Sequence, residues 1–483
     1  IAPSPLDGNR IWCGTDDGLI HLTTNGGKSW NDVTPSAVSA WQKISIVDAG
    51  HFDANTAYAA VNTLRLDDVR PHIYRTHDGG KTWTEIVHGI PDGQTVNVVR
   101  EDTQRRGLLF AGTERAVYVS FDDGDNWEAL RLNMPATSVR DLIVKDDDLA
   151  VATHGRGFWI LDNITSLRQW NRDQRETVLF KPQIALRVRW SLNTDTPVPP
   201  DEPAGENPPD GAMIDYFLAD DSPATLEIKD KNGNLVRRYT SSDSPVLPDP
   251  KKLKIPSYWI RPFAALSSQR GMHRFVWDLH YTPLTGIEPE YPMAAVYRDT
   301  PPSPTSPWVA PGEYTVVLTA GGRSYTQRLT VRMDPRVKMS EKELQEQLAL
   351  SQQLSELRAS LEPIGNVFDS LVQRLTKLRT QSLSKNVEEK LNGLNARLKE
   401  LGPPNARPGA PPSLHALDSV KELFDQIQGV DAAPTDRVKT AVNEARGQAA
   451  ALTKRWQEIV AQDVPALDKE LQAAGLPSLN PAP

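Results

Sequence analysis

Tyr58, Tyr74, Tyr118, Glu85, Glu101 and Glu114 lie close enough along the chain to raise one kind of chemistry. Glycosidic bonds are cleaved by a tyrosine nucleophile with a glutamate partner, or by two carboxylates opposed across the bond. Spacing selects no pair among these six, so no catalytic residue is assigned. Metal chemistry has no better footing. The acidic turns at Asp67-Asp68, Asp122-Asp123 and 146–148 lack the spacing of a calcium loop, and the 9 histidines are scattered. The single cysteine, Cys13, excludes a disulfide within this chain and any multi-cysteine metal site. HExxH, GxSxG, Walker and dinucleotide-binding patterns do not occur in context, so neither a metal nor a cofactor is expected. For binding, the best single candidate is THGRGFW, where His154 and Arg156 flank Gly155, a residue that lets a backbone approach closely.

What would position such groups is a repeat. TTNGGKSW ends at Trp30, THDGGKTW at Trp83 and SFDDGDNW at Trp127, spaced 53 and 44 residues apart. That period suits a blade of four short strands, which leaves a sheet face unburied unless neighbours stack on it. The phrase reads as a turn. A strand ends at Thr23, Thr76 or Ser120; Asn25, Asp78 or Asp122 then offers an oxygen to turn amides; Gly27, Gly80 or Gly124 supplies positive φ. Trp30, Trp83 and Trp127 open the next strand and pack between units. In the third unit four strands are expected at 96–100, 108–113, 116–121 and 127–130. The second repeats them from Ile44 with an insertion at 65–72. The first holds only its last strands, with Ile1 and Ala2 as the tail of another. The fourth, at 139–144, 149–153 and 158–161, has neither the phrase nor a fourth strand.

These phrases resemble the Asp-box, or BNR, motif S/T-x-D-x-G-x-T/S-W of β-propellers in sialidases, some glycoside hydrolases and the sortilin (VPS10) family. Asn25 and Asn126 depart from the pattern, and both are still able to hydrogen-bond. In that family the box is structural and lies away from the ligand, so the resemblance implies no catalytic role for it. If the boxes join third and fourth strands, the turns between second and third strands emerge on the other face. Those turns carry Asp16, Asp17, the 65–72 insertion, Glu114, Arg115, His154 and Arg156, charged and mixed in sign as a polar ligand surface would be.

Composition sets the rest. The chain has 483 residues, and 54 basic against 62 acidic side chains leave a net charge of -8, no footprint for nucleic acid. No run reaches the roughly 20 apolar residues of a membrane span. After a Pro- and acid-rich stretch at 196–211, short alternating strands resemble the Ig-like modules of bacterial extracellular proteins, notably MHRFVWDL from Met272 and PGEYTVVLTAGG from Pro311. From Met339 the apolar period becomes helical, with Ser340 and Glu343 as a capping box, a kink or split expected at Pro363, and a Pro-rich loop at 403–412. Four or five antiparallel helices are expected, with Trp277 and Trp456 as packing residues.

The fold class read from the sequence is therefore multidomain: incomplete all-β propeller blades at 1–165, an Ig-like β-sandwich with long loops at 175–336 and an antiparallel α-helical bundle at 337–475. The order of modules resembles the C-terminal part of large bacterial secreted proteins with sortilin-like propellers, often labelled glycosyl hydrolases. The resemblance implies a secreted or periplasmic setting and, because the chain opens on Ile1 within a repeat, further N-terminal blades. The favoured role is an extracytoplasmic binding or scaffolding protein whose propeller face holds a protein, peptide or glycan. The alternative is a glycoside hydrolase, sialidase-like or polysaccharide-cleaving, with a two-carboxylate site partly in blades outside this chain.

Overall fold

A computed structural model describes every residue except 191–204, 245–246, 264, 288–289, 294–295, 297, 404–412 and 480–483. Most of the stretch 196–211, and the loop 403–412 beyond Pro403, thus lie outside the described residues. The chain divides into two compact units, Ile1–Gln183 with Asp215–Ala219, and Ile184–Ile214 with Asp220–Pro483.

The first unit holds four successive antiparallel propeller sheets, each paired in chain order. The first joins Ala2–Pro3, Ile11–Gly14, Ile20–Thr23 and Asn31–Asp32. It is a full set of four, not the remnant expected: Ala2 pairs with Trp12 and Pro3 with Ile11. Two residues suffice for that strand, too few to leave a periodic signal. The second sheet joins Lys43–Ala49, Ala57–Asn62, Ile73–Thr76 and Thr84–Glu85. The third joins Val96–Glu101, Leu109–Thr113, Val117–Ser120 and Glu128–Ala129. The fourth has only Val139–Lys145, Asp148–Thr153 and Phe158–Leu161.

Both faces of the middle sheets are covered, which is why AYAAV and LFAGT run almost wholly apolar where a one-sided strand would alternate. Trp12, Ile20, Leu22, Ile44 and Tyr74 fill the space between the first and second sheets. Tyr58, Ile73, Val96, Tyr118 and Trp127 fill the next, and Val98, Phe110, Val117, Val119, Val139 and Leu149 the third.

The repeated phrases form matching turns between third and fourth strands. In the second, Thr76 Oγ1 donates to Asp78 (2.9 Å) and accepts from Gly80 N (3.0 Å), while the Thr82 amide donates to Asp78 (2.9 Å). Ser120, Asp122, Gly124 and Asn126 repeat these bonds, as do Thr23, Asn25, Gly27 and Ser29. Glycine is required twice over at Gly124: its φ is +91°, and a Cβ there would lie 2.3 Å from Ile86 of the preceding sheet. The tryptophans then staple sheet to sheet. The Trp83 indole donates to the Val33 carbonyl at 2.7 Å and that of Trp127 to Ile86 at 2.8 Å. Trp30, at the same place in the first phrase, is 42% exposed.

The second unit contains the Ig-like sandwich and the helices. One sheet runs Ala185–Arg187, Arg323–Met333, Gly312–Ala320, Ala224–Lys229 and Leu235–Thr240, its first pair parallel. Trp277 of the strand Gly271–Trp277 is fully buried, its ring 5.6 Å from that of Tyr314. Helices follow at Glu341–Leu378, Lys385–Lys399, His415–Gln428 and Asp436–Glu458, then a π-helical turn Ile459–Asp463 and the helix Val464–Ala473. Ser340 and Glu343 cap each other reciprocally, and the leucine stripe with Phe368 and Trp456 forms one core. Of the kink or split expected at Pro363, the split is absent, and the first helix runs through it unbroken. Leu361 and Phe368 are buried on either side of it, whereas Pro363 faces water, where the Ala359 carbonyl that loses its bond can be hydrated.

A buried ion pair ties sandwich to helices. Arg187, with a side chain only 2% exposed, donates to Asp431 at 2.7 Å and to the Val309 carbonyl at 3.1 Å, and Arg189 joins Asp431 at 2.8 Å. Both guanidinium groups lie over the Trp308 ring, at 5.2 and 5.1 Å.

Candidate functional site

Strand alternation sends the turns between second and third strands, and the connections from sheet to sheet, to the side opposite the tryptophan phrases. Hydrogen bonds knit these loops together. The Trp41 amide donates to the Asp17 carbonyl at 2.7 Å, Glu114 N to Thr95, Thr137 N to Arg115 and His154 N to Ser138. Asp16 and Asp17 are exposed on the first sheet's turn, and the Thr15 hydroxyl donates to Asp17. Glu114 is held in place: Asn97 Nδ2 and Arg140 Nη1 each donate to it at 3.0 Å. Arg115, His154 and Arg156 are exposed, and the Arg156 carbonyl accepts from the Trp159 indole at 3.0 Å. Asn97, Glu114 and Arg140 thus form a group beside Arg115, while among the described residues no hydrogen bond or ion pair joins Asp16 and Asp17 to His154 and Arg156.

The same loops carry apolar side chains that sequence reasoning passed over. Trp41 and Leu132 are each 70% exposed, and Leu64, Leu66 and Val69 stand out around the 3-10 turn Leu64–Leu66. Trp41 (φ 72°) and Leu132 (φ 46°) both occupy left-handed backbone, which costs a non-glycine residue on the order of 1–2 kcal/mol. For Trp41 the conformation is held by its amide bond to Asp17 and by Gly18, where a Cβ would sit 2.8 Å from the Ser39 carbonyl. An exposed indole in a strained backbone is a poor stability choice and a good contact group. One sequence signal existed: Trp41 stands outside the three phrases.

The turn side has its own titratable cluster between the second and third sheets, with Tyr58, Glu101 and Asp48 buried and His77 and Asp123 reaching the surface. Tyr58 Oη donates to Asp123 at 2.5 Å and lies 3.5 Å from Glu101; His77 reaches Asp123 at 2.9 Å and Arg75 at 3.1 Å. Glu101 accepts from the His51 amide at 2.8 Å, and its own amide donates to Asp48. Burial raises Glu101 and Asp48 above the usual carboxylate range. It also drives Tyr58 far upward, helped by the Glu101 charge, and Tyr74 is pushed up to about 12 by burial and by Glu85. The fold therefore makes two tyrosine–glutamate pairs that spacing could not choose, Tyr58–Glu101 and Tyr74–Glu85. Both phenols are buried, out of reach of a substrate at the surface. Tyr118 is raised by burial too. Among the described residues no group of three or more His, Cys, Asp or Glu is arranged to hold a metal ion. No helix there is long and apolar enough to cross a membrane.

No protein-family model matches the chain, and no curated protein does. Among solved structures it is similar to YCF48 bound to D1 peptide, at 15% identity and TM-score 0.27 over 49% of this chain and 67% of that one. It is similar to YCF48 from Cyanidioschyzon merolae at 18% identity and TM-score 0.24, over 35% of this chain and 52% of that one. The GH74 xyloglucanase from Xanthomonas campestris matches at 16% identity and TM-score 0.22, over 44% of this chain and 41% of that one. The chain thus spans about half or less of the last two, and the activities in those names stay with those proteins.

Proposed function

We propose that this chain is an extracytoplasmic binding or scaffolding protein of the sortilin-like Asp-box kind, its loop face holding a protein, peptide or glycan ligand. One observation supports this above others. The strained, exposed Trp41 and Leu132 stand on the same face as Asp16, Asp17, Arg115, His154 and Arg156. Apolar anchors sharing a face with charges of both signs are the composition of a recognition surface. For the alternative, a glycoside hydrolase, the two tyrosine–glutamate pairs give no support: Tyr58 and Tyr74 are both buried, and the Tyr58 hydroxyl donates to Asp123 rather than to its glutamate.

The test is capture on printed glycan and peptide arrays, followed by titration of the best hits with Trp41→Ala and Arg156→Ala proteins of unchanged circular dichroism. Each substitution is expected to weaken binding tenfold or more, the loss of about 1.4 kcal/mol. Equal affinity in both variants removes this face from consideration. Release of reducing sugar from the same glycans would favour the hydrolase instead.

A further inference from the structure

The five-stranded sheet of the sandwich buries one face, and its other face carries hydroxyls in register. Ala224, Leu226 and Ile228 are buried, so Thr225 and Glu227 between them point outward. Residues directly opposite across an antiparallel pair share a face, which sets Thr240, Thr319 and Ser324 in one row with Thr225. In the next row Arg238, on the outermost strand, pairs with Glu227. The Glu227 carboxylate is already engaged by Lys229 at 3.0 Å. Arg238 is exposed, and among the described residues its guanidinium makes no hydrogen bond or ion pair. Its neighbour Arg237, on the opposite face, donates to the Tyr281 carbonyl at 3.0 Å.

At the end of the hydroxyl row two loops raise a wall, and backbone bonds hold it in place. The Ser222 amide donates to the Ser268 carbonyl at 2.8 Å and the Ser241 amide to the Ala224 carbonyl at 2.9 Å. The Ala224 amide returns a bond to Ser241 Oγ at 3.0 Å, and Asp221 accepts the Arg270 amide at 2.6 Å on one of its two oxygens. Wall and sheet bound an open cleft of about 550 Å³, with Arg238 and Thr225 on its sheet side. Small-molecule sites span about 300–1,000 Å³ and are mostly apolar. Here the polarity is inverted: Pro223 and Ala224 are the cleft's apolar residues. The hydroxyls of Ser222, Thr225 and Ser268 bond nothing else among the described residues.

Such a lining selects its ligand by hydrogen bonds. Apolar groups find nothing there to bury against, whereas a ring bearing several hydroxyls meets donors and acceptors that are otherwise left to water. The guanidinium adds a planar fork that fits a carboxylate with two parallel bonds. We propose that this cleft binds a carboxylated saccharide, a uronic acid unit. Arg238 takes the carboxylate, the Ser222, Thr225 and Ser268 hydroxyls meet the ring hydroxyls, and the second Asp221 oxygen accepts from one of them. The site lies within the second unit, separate from the loop face, and does not depend on it.

The experiment titrates the full chain with sodium D-glucuronate at constant ionic strength, read by saturation-transfer difference NMR. Saturation is expected with a Kd of about 1–10 mM, the weak end of specific binding for a single small ring. D-Glucose, which lacks the carboxylate, and sodium acetate, which lacks the hydroxyls, should each bind about tenfold more weakly or worse. Arg238→Gln should weaken glucuronate binding about tenfold or more, and Thr225→Val about threefold or more, both with melting temperature unchanged. Trp41→Ala should leave it intact. No saturation up to about 50 mM glucuronate overturns the proposal. Acetate binding as well as glucuronate overturns it too, since the cleft would then hold any small anion, and glucose binding equally well removes the carboxylate from it. Unchanged affinity in Arg238→Gln would place the sugar elsewhere on the chain.

Discussion

Trp127 and Trp30 occupy the same place in the same repeated phrase, and substituting each tests whether the staple lies in the residue or in what it reaches. Trp127 is 3% exposed and its indole donates to the Ile86 carbonyl at 2.8 Å; Trp30 is 42% exposed. Trp127→Ala removes a buried aromatic, for which core truncations cost about 3–5 kcal/mol, and strands a carbonyl between two sheets. Trp30→Ala should cost under about 1 kcal/mol, the range of a surface change. With several modules present a single unfolding free energy is ill defined, so the assay is native-state hydrogen exchange read by mass spectrometry. Amides in Val96–Glu101 and Val117–Ser120 should exchange roughly a hundred- to several-thousand-fold faster in Trp127→Ala, at about tenfold per 1.4 kcal/mol. Trp30→Ala should leave them within a few-fold of the parent. Equal acceleration by the two, or less than tenfold for Trp127→Ala, would refute the stapling argument.

Two further outcomes follow from the electrostatics. Asp78 is lowered to about 2 by the Thr82 side chain and amide, so the stability it lends is present above its ordinary 3.8 and lost as pH falls through 4 towards 2. Asp78→Asn keeps the acceptor, as Asn25 does in the first turn, and should flatten that part of the melting-temperature curve; parallel acid slopes in the two proteins would contradict it. Asp431→Ala strands the buried Arg187 charge and should destabilise the sandwich and helices by about 3–5 kcal/mol, visible as faster exchange in both; a change under 1 kcal/mol would mean that the pair holds nothing together.

What the sequence made legible was whatever is written locally and more than once. The three tryptophan phrases, the serine cap at Ser340 and the leucine stripe each repeat a short-range rule, and each corresponds to an element in the structure. The loop-face charges were found by strand alternation alone. Trp41 was missed because a lone loop residue has no period, and its left-handed backbone depends on Gly18 and Asp17, far from it in sequence. Tyr58 and Glu101 lie 43 residues apart and meet only through the stacking of one sheet on another. Of the kink or split expected at Pro363, the split does not occur: the helix is continuous through it, with buried Leu361 and Phe368 packed on either side.

The tryptophan-bearing turns satisfy their own hydrogen bonds, hydroxyl to carboxylate to amide, within eight-residue phrases. Strand register in the first three sheets is therefore fixed from one side. The loops on the other side are released from that duty, and the 65–72 excursion lengthens one of them without disturbing the ladder that pairs Ala60 with Ile73. Such a scaffold separates two duties: the phrases hold the ladders together, and a loop on the other side can change in length repeat by repeat so long as the backbone bonds that tie it to its neighbours, such as Trp41 to Asp17, are kept.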